Sequence, residues 1–177
     1  MKKKSLASQA AKPQKPRPPL PGTLFICATP IGNLSDVSAR ALETLKQADF
    51  VAAEDTRVTQ KLLSHYALNK AMISYHDHNK VKAGSVILER LKEGKSVALV
   101  SDAGTPGISD PGYHIIAEAL QHNITIIPIP GPSALITALS VSGLPTNNFL
   151  FDGFLPQKES ELVNYLESIK NERRTLV

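Results

Sequence analysis

Short apolar runs alternate along the chain with segments whose apolar residues recur at helical spacing. The runs predict strands at residues 23–28, 50–53, 71–74, 97–100, 124–127, 149–154 and 175–177. The segments between them predict helices at residues 38–48, 58–66, 80–92, 113–121, 133–142 and 158–171. Strands that alternate with helices of this length favour right-handed βαβ crossovers. We therefore predict an α/β fold with a mostly parallel sheet that is flanked by helices on both faces.

Helical spacing also predicts which side chains of two helices face the core. For the helix at 58–66 these are Val58, Leu62, Leu63 and Tyr66, and for the helix at 80–92 they are Val81, Val86, Ile87 and Leu91. Asp36 and Ser38 are both suitable N-caps for the first helix.

The predicted elements divide the chain into three parts. Residues 22–146 form the main α/β domain, and a break at residues 143–148 precedes one more strand and helix. Residues 175–177 look like a strand that has just begun, so we interpret residues 147–177 as the beginning of a second α/β domain in a truncated chain. Residues 1–21 are rich in Lys and Pro and predict a disordered tail, because such a segment buries too little apolar surface to fold.

The positive net charge of the chain comes from this tail. The first 21 residues hold six of the 20 basic residues and none of the 16 acidic ones, so the remainder carries a net charge of about −2. The tail is either a solubilising segment or an arm attracted to RNA phosphate. Net charge alone therefore does not indicate RNA binding.

Composition places the chain among globular proteins of a reducing compartment. Apolar residues make up 42% and charged residues 20%, and no apolar run is long enough to span a bilayer. The basic start is not followed by the apolar segment of a signal peptide. Cys27 is the single cysteine and excludes an internal disulfide, so we expect a cytoplasmic location and no membrane partner.

Five segments of unusual chemistry each follow a predicted strand. They are residues 29–36, 54–57, 75–79, 101–112 and 128–134, which read TPIGNLSD, EDTR, YHDHN, SDAGTPGISDPG and PIPGPSA. Ligands of open α/β sheets bind outside the carboxyl ends of the strands, so we predict that these segments share one site. The chain has neither the glycine fingerprint of dinucleotide-binding folds nor a phosphate-binding loop of nucleotide triphosphatases, and both classes are disfavoured.

Three of these segments suit a small ligand, and each also has a purely structural interpretation. Gly32 lets backbone approach a ligand, or belongs to a tight turn capped by Asp36. Asp102 can accept a hydrogen bond from an amino group or a ribose hydroxyl, whereas Asp110 is expected to be an N-cap of the helix that follows. Ser133 either meets a ligand or serves only as an N-cap.

The two remaining segments carry the groups for acid–base chemistry. Glu54 and Asp55 can orient a substrate hydroxyl while Arg57 meets a phosphate, or the three form a helix cap with an ion pair. His76 and His78 are two residues apart, so an extended backbone points both to one side. They have no third ligand at suitable spacing, and we predict no metal site.

Taken together, these motifs resemble the ribosomal RNA small subunit methyltransferase I family of the tetrapyrrole methylase superfamily. The resemblance covers residue 22 to the C-terminus. It is carried by GTLF and ATPIGNL within residues 22–34, AEDTR at 53–57, HDHN at 76–79, VSDAGTPGISDPG at 100–112 and PGPSA at 130–134. Two departures stand out. Asp77 replaces the usual Glu of the His-containing string, and the second domain of the family should continue well past Val177.

The resemblance implies a methyltransferase that binds S-adenosylmethionine in a cleft between two domains. Its substrate would be the 2′-hydroxyl of a cytidine in the 16S rRNA of the small ribosomal subunit, and a homodimer would be usual. The implied cofactor-binding residues are Pro30, Ile31, Gly32, Asp102, Gly104, Thr105, Ile108, Ser133 and Ala134. The candidate catalytic residues are Glu54, Asp55, His76 and His78, and Arg57 and Asn79 would bind the RNA substrate.

Two other functions stay open at this point. One is a methyltransferase whose substrate is a tetrapyrrole, as elsewhere in the superfamily. The other is a non-catalytic module that binds S-adenosylmethionine. If residues 147–177 begin a truncated domain, half of the cofactor cleft is missing, and we expect the chain alone to be inactive.

Overall fold

The computed structural model describes residues 22–177, and its strands and helices alternate as the apolar pattern predicts. The strands are β1 (Thr23–Cys27), β2 (Phe50–Ala53), β3 (Met72–Ser74), β4 (Val97–Val100), β5 (Thr125–Ile129), β6 (Phe149–Leu150) and β7 (Thr175–Leu176). The helices are α1 (Ala39–Gln47), α2 (Thr56–His65), α3 (Lys80–Lys92), α4 (Tyr113–Gln121), α5 (Ala134–Val141) and α6 (Glu159–Ile169). The predicted tail lies outside the described residues.

The first five strands form one parallel sheet in the order β3-β2-β4-β1-β5. This arrangement confirms the predicted α/β class. Because every strand runs the same way, the five carboxyl ends lie along one edge of the sheet. The strands β6 and β7 pair separately as a small parallel sheet, and the predicted boundary between residues 146 and 147 stays a prediction.

Helices cover both faces of the large sheet. In β1, Phe25 and Cys27 pack in a core with residues of α1 and α2, whereas Leu24 and Ile26 pack in a core with residues of α3 and α4. Successive side chains of a strand point to opposite faces, so a strand covered on both sides is apolar at every position. The continuous apolar run at residues 23–28 is therefore explained by the burial of β1 on both faces of the sheet.

The predicted core faces of α2 and α3 are partly wrong. Val58 of α2 is 37% exposed, and Val81 and Val86 of α3 are 66% and 42% exposed. The buried residues are Thr59, Leu62 and Leu63 on α2, and Ala83, Gly84, Ile87, Leu88 and Leu91 on α3. A Cβ on Gly84 would be in ordinary van der Waals contact, at 3.5–3.8 Å, with side-chain atoms of Tyr75, His114 and Glu118, so this face of α3 is covered by neighbouring residues.

Three further boundaries differ from the pattern. The strand predicted at 149–154 is only two residues long. The strand β5 extends to Ile129, and its Pro128 is tolerated because β5 is an edge strand. A short 3-10 turn at Leu34–Asp36, which the pattern did not predict, is capped by Asn33 rather than by Asp36, and Ser38 caps α1.

Within residues 22–177, no helix is long and apolar enough to cross a membrane.

We expect Tyr75→Phe to destabilise the fold by about 1–3 kcal/mol, because a buried amide would lose its hydrogen-bond acceptor. The Tyr75 side chain is buried, and its hydroxyl accepts a hydrogen bond of 3.2 Å from the Ile115 amide in the first turn of α4. Urea denaturation followed by circular dichroism measures the loss. Tyr113→Phe is the control, because Tyr113 is 80% exposed, and equal stability of both variants would contradict the assignment.

Candidate active site

A cavity of about 520 Å³, here called the large cavity, opens at the carboxyl edge of the sheet. Its volume lies within the range that is usual for small-molecule sites. The loops after β1, β2, β4 and β5 all contribute to it, as expected for this edge of a parallel sheet. Eight of the predicted site residues line it: Ile31, Glu54, Asp102, Gly104, Thr105, Ile108, Ser133 and Ala134.

Two of these loops are fastened together by an isolated antiparallel bridge. The Thr29 amide donates to the Gly104 carbonyl at 2.8 Å, and the Gly104 amide donates back to the Thr29 carbonyl at 3.1 Å. The Thr29 hydroxyl also donates to the Ser101 carbonyl at 3.0 Å. Gly104 has a φ of +85°, a conformation that glycine adopts without strain, so the bridge depends on glycine at this position.

The carboxylates of Glu54 and Asp102 connect the loops after β2 and β4. Glu54 Oε2 accepts a hydrogen bond from the Asp102 amide at 3.3 Å, and Asp102 Oδ1 accepts one from the Asp55 amide at 3.0 Å. Both carboxylates line the large cavity, so this wall carries negative charge. Such a wall favours a ligand with a positive charge.

Asp110 does not play the role that its sequence context predicts. The helix α4 begins at Tyr113 with Gly112 in the N-cap position, two residues later than an Asp110 cap requires. Instead, Asp110 Oδ1 accepts a hydrogen bond from the Gly107 amide at 2.5 Å inside the loop. Burial, together with the nearby charges of Glu54 and Asp102, raises the pKa of Asp110 to about 6. Asp110 also lines the large cavity.

Asp55 and Arg57 form a helix cap with an ion pair, one of the two arrangements that the sequence allows. Asp55 caps α2 by accepting a hydrogen bond from the Arg57 amide at 2.8 Å, and its Oδ2 lies 2.6 Å from Arg57 Nη2. These hydrogen bonds from Arg57 lower the pKa of Asp55 to about 2. The Arg57 side chain is 88% exposed, so one side of its guanidinium stays open to solvent.

The histidine segment follows β3 at the edge of the sheet and does not line the large cavity. The rings of His76 and His78 have centroids 6.0 Å apart. Asn79 holds the turn, since its Oδ1 accepts from the His76 amide at 2.8 Å and its Nδ2 donates to the Ser74 carbonyl at 3.0 Å. Among the described residues, no group of three His, Cys, Asp or Glu side chains could hold a metal ion. The assigned roles of His76, His78 and Asn79 stay predictions.

The remaining predicted residues are placed as follows. Ser133 is the N-cap of α5, accepting from the Ile136 amide at 3.4 Å, and it also lines the large cavity, so both interpretations fit. Pro30 lines a different, smaller cavity. Gly32 has a φ of +147° and lines neither cavity.

Sequence reasoning missed three lining residues that follow β6. Phe151, Gly153 and Phe154 line one side of the large cavity. The pattern assigned them to a strand, and no motif marked them. The exposure of Phe154, at 87%, shows that this side is open.

The chain matches one family of proteins over most of its length and has close relatives in bacteria. The family model described as Tetrapyrrole (Corrin/Porphyrin) Methylases matches residues 23–177. A protein of Halalkalibacterium halodurans is 52% identical over 156 residues, which are 88% of this chain and 54% of that protein. A protein of Mesorhizobium japonicum is 51% identical over 162 residues, which are 92% of this chain and 55% of that protein. Both are named ribosomal RNA small subunit methyltransferase I, and the chain spans about half the length of these curated relatives.

Solved structures with the same fold have much lower identity. A diphthine synthase superposes with a TM-score of 0.59 at 19% identity, over 83% of this chain and 60% of that chain. A uroporphyrin-III-C-methyltransferase of Thermus thermophilus gives a TM-score of 0.54 at 20% identity, over 73% of this chain and 58% of that chain. Identities this low show the fold alone. With the resemblance to the ribosomal RNA small subunit methyltransferase I proteins confirmed, the chain belongs to the tetrapyrrole (corrin/porphyrin) methylase family.

Proposed function

We propose that this chain forms the cofactor-binding half of an S-adenosylmethionine-dependent methyltransferase that modifies the 2′-hydroxyl of a cytidine in 16S rRNA. The observation that carries the proposal is the large cavity, which gathers eight of the residues assigned from the family strings. The names of the relatives support ribosomal RNA of the small subunit as the substrate. The proposal includes the bacterial cytoplasm as the location and a homodimer as the assembled form.

The chemistry of the large cavity fits S-adenosylmethionine. The cofactor carries a sulfonium and an ammonium group, and the carboxylates of Glu54, Asp102 and Asp110 line the cavity. Ile31 and Ile108 line it as well and offer apolar contact to an adenine ring. We assign the cofactor-binding role to Ile31, Asp102, Ile108 and Asp110, together with Gly104, Thr105, Ser133 and Ala134.

When bound, the cofactor supplies a methyl group that is open to attack by an oxygen nucleophile. The task of the protein is then to align this methyl group with the acceptor and to exclude water. A ribose hydroxyl is a weak nucleophile, so a carboxylate or imidazole that accepts its proton assists the reaction. Of the four candidate catalytic residues, Glu54 is the one that lines the large cavity, and we assign it the contact with the acceptor hydroxyl. Asp55, His76 and His78 remain candidates for the surroundings of the acceptor, and Arg57 and Asn79 for contact with RNA.

The first test uses the extended protein, in which this chain is followed by the part of the Halalkalibacterium halodurans relative that lies beyond the match. We expect it to bind S-adenosylmethionine in calorimetry and to transfer labelled methyl groups to unmodified small ribosomal subunits. We expect no transfer by the 177-residue chain alone, because its match covers only 54% of that relative. Binding without transfer by the extended protein would instead support a non-catalytic module.

Alanine at Glu54 or at His76 tests the acceptor side of the site. In the extended protein we expect each variant to lower kcat by roughly 10²–10⁴, the usual effect of losing an acid–base group. Calorimetry with S-adenosylmethionine separates loss of chemistry from loss of binding. Glu89→Ala, an exposed position on α3, is the matched control. Wild-type transfer rates in both variants would refute the assignment.

The binding of S-adenosylmethionine should strengthen between about pH 5 and 7, as Asp110 ionises and attracts the cation. The pKa of Asp110 is about 6 in the folded chain, above its ordinary value near 3.8. The same shift affects folding stability. Because the pKa of Asp110 is raised on folding, its protonated form adds to the free energy of unfolding, and this contribution is lost as the pH rises through 6. Calorimetry across this range measures the dependence.

Two controls isolate the effect of Asp110. S-adenosylhomocysteine lacks the sulfonium charge, so its affinity should change much less over the same range. Asp110→Asn keeps an oxygen for the Gly107 amide but cannot ionise, and it should flatten the curve. An unchanged slope in this variant would show that another group titrates.

A further inference from the structure

A second cavity of about 220 Å³, here called the small cavity, lies between the loop after β1 and the helix α2. Thr29 lines the small cavity and Gly104 lines the large one, so the hydrogen-bonded bridge between these residues separates the two. Asp102 lines both cavities. The small cavity is therefore a neighbour of the proposed cofactor site and shares a carboxylate with it.

Apolar side chains from two segments line the small cavity. Pro30 and Leu34 belong to the loop after β1, and Val58 and Leu62 belong to α2. The rest of the lining is polar or charged, from Thr29, Thr59, Lys61, Ser101 and Asp102. Apolar side chains with a few placed polar groups are typical of sites that bind small molecules.

The loop that forms one wall is held in place. Beyond the bridge at Thr29, the Tyr66 hydroxyl at the end of α2 donates a hydrogen bond of 2.6 Å to the Leu34 carbonyl. The Asn33 side chain accepts from the Ser35 amide at 3.0 Å and caps the short 3-10 turn. A wall that is fixed before a ligand arrives lowers the entropic cost of binding.

The volume limits what the small cavity can accept. Pockets that enclose a whole drug-sized ligand usually measure about 300–1,000 Å³, so a cavity of 220 Å³ suits one ring of a larger molecule. The exposed cations Arg57 and Lys61 flank Val58 and Leu62 on α2, and they favour an occupant attached to phosphates.

We propose that the small cavity binds the pyrimidine base of the nucleotide that accepts the methyl group. The inference rests on the proposed function, and it adds a base-binding site that the family strings do not assign. Pro30 and Leu34 would cover one side of the ring, and Val58 and Leu62 the other.

The ribose of this nucleotide would lie toward Asp102, which lines both cavities. The Asp102 amide donates a hydrogen bond to Glu54, the residue assigned to the acceptor hydroxyl, so this orientation brings the ribose to the proposed cofactor site.

Filling the small cavity tests the proposal in the extended protein. Val58 is 37% exposed, so Val58→Trp places an indole against the cavity without entering the core. We expect KM for unmodified small ribosomal subunits to rise roughly tenfold or more, with the Kd of S-adenosylmethionine unchanged. Val86→Trp on α3, where the valine is 42% exposed and lines neither cavity, is the matched control and should change neither quantity.

The outcomes separate this inference from the proposed function. If the unsubstituted extended protein transfers no methyl group to subunits, the proposed function fails. If it does, and Val58→Trp keeps the normal KM, the small cavity is not the base site. Loss of S-adenosylmethionine binding in Val58→Trp would assign the small cavity to the cofactor and overturn the inference.

Discussion

The pair of backbone hydrogen bonds between Thr29 and Gly104 fixes the loop after β1 to the loop after β4, and both cavities depend on it. The strands β1 and β4 are neighbours in the parallel sheet, so their loops leave the same edge side by side. The bridge helps to order two long loops before any ligand binds, and ordering a residue costs about 1–2 kcal/mol of backbone entropy. With the bridge in place, one loop presents Ile31 to the large cavity and Pro30 to the small one.

Charge is distributed unevenly around this edge of the sheet. Carboxylates line the large cavity, while the cations Arg57 and Lys61 lie on the first turns of α2. Glu54 and Asp102 each accept a backbone amide of the neighbouring loop, so the groups proposed to meet ligands also hold the loops in position. Their substitution therefore affects both structure and chemistry, which is why the proposed experiments measure binding and turnover separately.

Much of the fold could be predicted from the sequence, because a strand that is buried on both faces is apolar at every position. Val97–Val100 is apolar throughout and is buried throughout. Positions where packing selects small residues were harder, and Gly84 is buried where the pattern favoured Val81 and Val86. Hydrophobicity ranks valine above glycine, although a small residue such as Gly84 can also lie on a buried helix face.

The site could be predicted only as far as local motifs reach. The rule that ligands bind at the carboxyl ends of strands located Glu54, Asp102 and Ser133. A local sequence pattern does not specify the order of strands in the sheet, so the sequence could not show that the segment after β3 lies at the sheet edge. The predicted N-cap role of Asp110 was wrong, because α4 begins at Tyr113, later than Pro111 suggests. A last consequence follows from Asp102, which lines both cavities. Ligands that draw on one shared carboxylate are thermodynamically linked, and each must change the affinity of the other by the same factor.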